Sequence, residues 1–95
     1  MTVRWLRGAT LSLRAVHAHV AVENREAARR VVKAVRVSVT RLREFPESGK
    51  PGTVPGTREL VVRNLPYVVV YRVVGGDVEV VRVLHTSTDW HAGTQ

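Results

Sequence analysis

Hydrophobic and polar positions repeat with two different periods along this chain, dividing it into a helical front and an extended back. A short alternating segment, Val3-Arg4-Trp5-Leu6, predicts a first strand that Gly8 ends. From Ala9 the period lengthens. Ala9, Leu13, Val16 and Val20 recur at i, i+4, i+7 and i+11, which stacks them on one face of a helix expected to stop near Glu23. Asn24 suits the N-cap of a second helix, and Glu26 falls in its first turn, where the helix dipole favours an anion. That helix, expected over about 25–45, places Ala28, Val31, Val32, Val35, Val39 and Leu42 within an arc of about 100°. Arg29, Arg30, Lys33, Arg36, Arg41 and Arg43 occupy the other side, with Glu26, Thr40 and Glu44. Valine has modest helix propensity, so this helix depends on packing its apolar stripe. Pro46 predicts its end.

Residues 46–57 carry three of the four prolines and three glycines, predicting an ordered or semi-ordered loop within one domain. Three runs rich in β-branched and aromatic residues follow, at 58–63, 67–74 and 76–85, punctuated by Asn64-Leu-Pro66 and Gly75-Gly-Asp77. They specify an antiparallel meander. Leu60 and Val62 share a face of the first run, and both faces of the second are apolar, as in a central strand. In the third, Val78, Val80 and Leu84 alternate with Glu79, Val81 and Val83. Residues 86–95 read as a partly mobile tail with Trp90 as its one anchor. The expected order is β-α-α-β-β-β: a helical hairpin packed on one face of an antiparallel sheet, an α+β two-layer domain.

At 95 residues the chain is long enough for one core and too short for two. It has no run of apolar residues able to span a membrane, and its start lacks the apolar stretch of a signal peptide, so a cytoplasmic location is expected. With no cysteine, disulfides, thiolate catalysis and cysteine-type zinc sites are excluded. The net charge of +7 is localised: residues 1–45 hold ten basic against three acidic residues, while 46–95 hold five of each. A field concentrated on one half attracts an acidic partner or nucleic acid. Thirteen Arg to two Lys, with abundant Val, Ala and Gly, also fits a GC-rich coding sequence.

Catalytic chemistry is sparse. The acidic residues flank helices and turns, and none is set beside another to share a proton. His17 and His19 are too close in sequence to face one way, so no metal pair is expected there, nor any cofactor. His85 ends the last strand, and as a proton carrier it is expected near Arg82, Tyr71 and Arg72 on neighbouring strands, a base plus cations for RNA cleavage. The alternative is a strand-end histidine whose ring caps the sheet. Gly49-Lys-Pro-Gly52 lacks the strand and helix a phosphate loop requires. Phe45, Tyr67, Tyr71 and the two tryptophans do not line one strand face with basic neighbours, as a single-strand RNA platform would need. Residue chemistry alone gives a small basic α+β domain that binds a partner.

An ordered set of short segments says more: Trp5-Leu, Glu23-Asn-Arg-Glu-Ala-Ala-Arg-Arg-Val-Val, Leu42-Arg-Glu-Phe-Pro with Gly49 after it, Arg58-Glu-Leu-Val, Pro66-Tyr-Val-Val-Val-Tyr-Arg, and Val81-Arg-Val-Leu-His with Trp90. In this order and spacing the chain resembles toxins of the RelE/ParE superfamily, on the ParE side. The resemblance implies a growth-inhibiting toxin of a bacterial type II toxin-antitoxin, plasmid-stabilisation module. Its partners would be an acidic antitoxin and DNA gyrase, with no sequence-specific DNA binding except through the antitoxin. Arg29, Arg30, Lys33 and Arg36 are the antitoxin-binding candidates; Arg58, Tyr71, Arg82, His85 and Trp90 are the target-binding candidates. The RelE branch instead cleaves mRNA in the ribosome, and on that reading His85 would act with Arg58, Arg72 and Arg82. Yet Val61 and Val68 stand where a nuclease of this kind would carry strand cations, and Thr86 and Thr88 where Lys or Arg is usual. Aliphatic side chains cannot stabilise a phosphodiester transition state, so inhibition by binding is expected over cleavage. Thr88 also departs from the basic residue that many ParE-like chains place before the Asp-Trp pair.

Overall fold

The computed structural model describes residues 1–88. Its elements are β1 (Val3–Trp5), α1 (Arg7–Ala21), α2 (Arg25–Arg41), β2 (Lys50–Pro51), β3 (Arg58–Val61), β4 (Tyr67–Val74) and β5 (Asp77–His85). The two helices pack on a five-stranded mixed sheet of order β1-β5-β4-β3-β2, an α+β arrangement. The two-residue β2 lies inside the Pro- and Gly-rich segment and adds one strand to the expected series. Among the described residues no helix is long and apolar enough to cross a membrane. Of the tail, residues 89–95, with Trp90 and His91 among them, lie outside the described residues.

Local sequence accounts for most element ends. The Asn24 side chain accepts the Ala27 N–H at 2.9 Å, capping α2 where the sequence placed the cap. α1 has no side-chain cap and no acid in its first turn, so packing of its apolar face holds it. α2 stops at Arg41, short of Phe45, because the N–H groups of Leu42, Arg43 and Glu44 turn to carbonyls three residues back. This tightened turn swings Leu42 into the core, where it is fully buried.

The meander forms as expected. β4 and β5 join through Gly75 and Gly76, whose φ values of 56° and 84° are both positive, the backbone that a two-residue hairpin turn requires. Asn64, with φ of 63°, supplies the left-handed residue between β3 and β4.

Two features depart from the sequence expectation. The sheet is not wholly antiparallel, because β1 pairs parallel with β5, Val3 beside Val78 and Trp5 beside Val80. The helical hairpin covers one face and returns the chain far enough for the last strand to dock against the first in the same direction. Val78 then donates its N–H to the Thr2 carbonyl at 2.8 Å, and Leu6 to that of Val80 at 3.0 Å. The second departure is the phase of β5. Its register with β4 shifts between Val70 and Tyr71, so that Tyr71 faces Val80 and Val70 faces Arg82. The extra residue, Val81, is a bulge, and it lets Val80 and Val83, three positions apart, enter the same core. Val83 therefore joins Val78 and Val80 in the interior, and Leu84 turns the other way.

The core lies between the helices and one sheet face. Leu13, Val31, Val35 and Val39 meet Val62, Tyr67, Val69, Val80 and Val83, while Leu42, Tyr71 and Val78 form an adjoining cluster. Full burial of a side chain such as Val35, 0% exposed, contributes about 1.5–3 kcal/mol.

Candidate functional site

The outward face of α2 concentrates the positive charge. Arg29, Arg30, Lys33 and Arg36 are exposed there, as the helical period predicts. Among the described residues the ion pairs gather at Glu79, so these four cations have no carboxylate partner. They stand over apolar ground: Arg29, Lys33 and Arg36 border a groove of about 550 Å³ whose floor includes Val32 and Val37, with His17 of α1 on its far wall. Arg36 also borders a second groove toward Trp5 and Leu13, and a third toward Val3 and Trp5. The basic face is thus the rim of a trough leading from the helical hairpin to the β1 edge.

The residues singled out around the last strand do not converge. Tyr71 is fully buried, so it presents no surface to a target. Its hydroxyl accepts the Gly49 N–H at 2.9 Å and donates to the Pro46 carbonyl at 2.7 Å, tying the segment after α2 to the central strand. Arg58 secures the same segment, donating to the carbonyl of Gly49 at 2.6 Å. Arg72 is held by Glu79 at 2.7 Å. Since Arg72 lies opposite Glu79, six positions along β5 from His85, it is roughly 20 Å away from that histidine. Arg82 donates to the Val81 carbonyl at 2.8 Å and lays its guanidinium over Gly8 at the start of α1, where a Cβ would collide with it.

His85 is an end-of-strand residue with a defined ring. It meets Tyr67, its partner across β4, edge to face, with centroids 5.4 Å apart and planes at 84°. The Ser87 backbone N–H points at His85 Nδ1 at 3.0 Å, and the Ser87 hydroxyl lies 2.7 Å from the same atom. A backbone N–H can only donate, so Nδ1 is the acceptor and the remaining proton resides on Nε2. In this state Nε2 offers a hydrogen bond and cannot take up a proton, which is the reverse of what a general base needs.

The sequence did not single out Glu79 as the centre of a triad. It is nearly buried and bonds Arg4 of β1 at 2.5 Å and Arg72 of β4 at 2.7 Å, all three residues being register partners. Hydrogen bonds from Arg72 and then Arg4 hold its carboxyl below the usual range. Register also joins Val61, Val68 and Leu84 across β3, β4 and β5. Two-residue alternation hints at the Glu79 grouping but sets Leu84 on the face of Val78 and Val80, and only the bulge and the pairing bring Leu84 beside Val68. Among the described residues, no three histidine or carboxylate groups gather as a metal-binding set.

Comparison with known proteins places this geometry. A family model described as the ParE toxin of the type II toxin-antitoxin system parDE matches residues 3–90. The chain is 38% identical over 88 residues to a protein named "Putative toxin Y4kP" from Sinorhizobium fredii, covering 93% of this chain and 91% of that one. A solved structure described as a chromosomal ParDE system from P. aeruginosa matches with a TM-score of 0.82 at 28% identity, over 90% of this chain and 95% of that chain. The isolated E. coli RelE toxin shares the fold, with a TM-score of 0.60 at 18% identity over 98% of this chain and 93% of that chain.

Proposed function

The chain belongs to the ParE family, the toxins of type II toxin-antitoxin modules, and from that premise we propose that it inhibits DNA gyrase and is neutralised by an acidic antitoxin docked on α2. The observation that carries the antitoxin half is the row of unpaired cations, Arg29, Lys33 and Arg36, on the rim of an apolar groove. Charge steers an acidic segment to the rim, and apolar side chains of that segment fill the trough as it orders. Association is therefore fast at low salt and slows as salt rises. Neutralisation of this kind implies a cytoplasmic site of action, where both partners are made.

The gyrase half follows from family membership and from what the last strands lack. An mRNA endoribonuclease would need His85, Arg58, Arg72 and Arg82 gathered about one phosphodiester. Here Arg58 and Arg72 have structural partners and His85 presents a donor. Inhibition by binding needs no such convergence.

Two assays test the reading. Purified chain is added to DNA gyrase and to translating ribosomes with mRNA; loss of supercoiling with intact mRNA is the expected result. Cleaved mRNA would replace it with the nuclease, and no effect in either assay would leave a relative that keeps only antitoxin binding. For the antitoxin face, Arg29, Arg30 and Lys33 changed together to Glu should slow association with the co-expressed antitoxin at least tenfold at low salt. An unchanged on-rate removes α2 from the interface.

A further inference from the structure

The sheet face turned away from the helices carries a surface that the basic helix does not explain. Val62, Tyr67, Val69 and Val83 enter the core beneath the helices, so by alternation Val61, Val68 and Leu84 project from the opposite face. These three are direct cross-strand partners, forming an aliphatic row over β3, β4 and β5. The row is not buried: Val61 is 57% exposed, and Val68 and Leu84 are half-buried. At Val61 the apolar surface turns the sheet edge into a groove of about 320 Å³ shared with Phe45, which is 61% exposed, and bordered by Arg41 and Arg63. Scattered exposed aliphatics need no explanation. A continuous apolar strip ending on an exposed aromatic between two arginines marks an interaction surface, since aromatic and arginine side chains are enriched where proteins meet.

We infer that the strip formed by Phe45, Val61, Val68 and Leu84 grips the toxin's target, and that the target offers an apolar ridge bordered by carboxylates. This rests on the reading of the chain as a toxin that acts by binding. Charge chooses the occupant. Arg41 and Arg63 have no carboxylate partner among the described residues, so an acidic border on the target would complete them. A second copy of this chain, itself carrying +7, would set arginine against arginine. RNA fits poorly, because the centre of the strip is hydrocarbon and phosphates need cations there. Val68 and Leu84 lie on the other side of the sheet from the α2 trough, and the two grooves meet only at Arg41, which borders both, so target and antitoxin have separate surfaces that adjoin at the C-terminal end of α2.

The experiment compares wild type, Val61→Glu and Phe45→Ala with Val22→Glu as control. Val22 is 84% exposed at the turn between the helices, so the control places the same charge away from the strip. Growth arrest on induced expression and inhibition of purified DNA gyrase are both measured, with circular dichroism and thermal unfolding to verify the fold. The expected result is at least tenfold weaker inhibition, and relief of growth arrest, for both strip variants, with the control like wild type. Should wild type arrest growth without touching gyrase, the gyrase reading fails alone, and the strip is supported if both strip variants relieve the arrest. Folded strip variants with undiminished toxicity would overturn the inference. So would a wild type with neither effect, or a photocrosslinker at position 61 that captures RNA.

Discussion

Tyr71 and Gly49 are joined by a hydrogen bond from the glycine N–H to the phenol oxygen at 2.9 Å, and this buried contact fixes where the chain goes after α2. The phenol proton is committed to the Pro46 carbonyl, so one hydroxyl satisfies two backbone groups. Tyr71→Phe should lower stability by about 1–3 kcal/mol through the orphaned groups. Gly49→Ala should cost a similar amount, since the added Cβ would sit 2.7 Å from the phenol oxygen and 2.9 Å from the Glu59 carbonyl, which cannot retreat. Urea unfolding of each variant measures both. A Tyr71→Phe protein of wild-type stability would show that the segment holds itself.

Glu79 makes stability depend on acid. Its carboxyl is held low in the folded chain by Arg72 and Arg4, so its contribution is complete above the ordinary glutamate value of about 4.3 and is lost as pH falls through the lower folded value. The unfolding midpoint of wild type should therefore drop more steeply below about pH 4.3 than that of Glu79→Gln. Parallel profiles for the two proteins would show that the triad contributes nothing. Both arginines are about half exposed, 58% and 47%, so added salt should narrow the difference.

The His85 ring should be a single tautomer. Long-range ¹⁵N–¹H spectra of the neutral ring should show a bare Nδ1 and a protonated Nε2, because the Ser87 N–H occupies Nδ1. Ser87→Pro removes that N–H and should let both tautomers appear. A wild-type spectrum with the proton on Nδ1 would restore Nε2 as a possible base and revive the nuclease reading.

Asn24 tests the most local of these claims. Asn24→Ala deletes the bond to the Ala27 N–H and should cost about 1 kcal/mol, read as an earlier unfolding midpoint with an unchanged denaturant slope. Asn24→Asp should retain most of the stability, since a carboxylate also accepts from the first turn.

What the sequence by itself determined was set within a few residues: the valine stripe and cation face of α2, the Asn24 cap, and the glycine turn between β4 and β5. Each depends on periods or backbone preferences that neighbouring residues fix alone. The tertiary structure decided what depends on pairing. It set β1 parallel beside β5, a contact between residues 75 positions apart, and it placed the bulge at Val81 that sends Val83 inward and Leu84 outward. It buried Tyr71, gave Arg58 and Arg72 structural partners, and aligned Val61, Val68 and Leu84 in one row. Alternation tells which residues of one strand share a face, but strand register is a long-range choice made by the packed core, so the groupings across strands were not legible until the sheet was assembled.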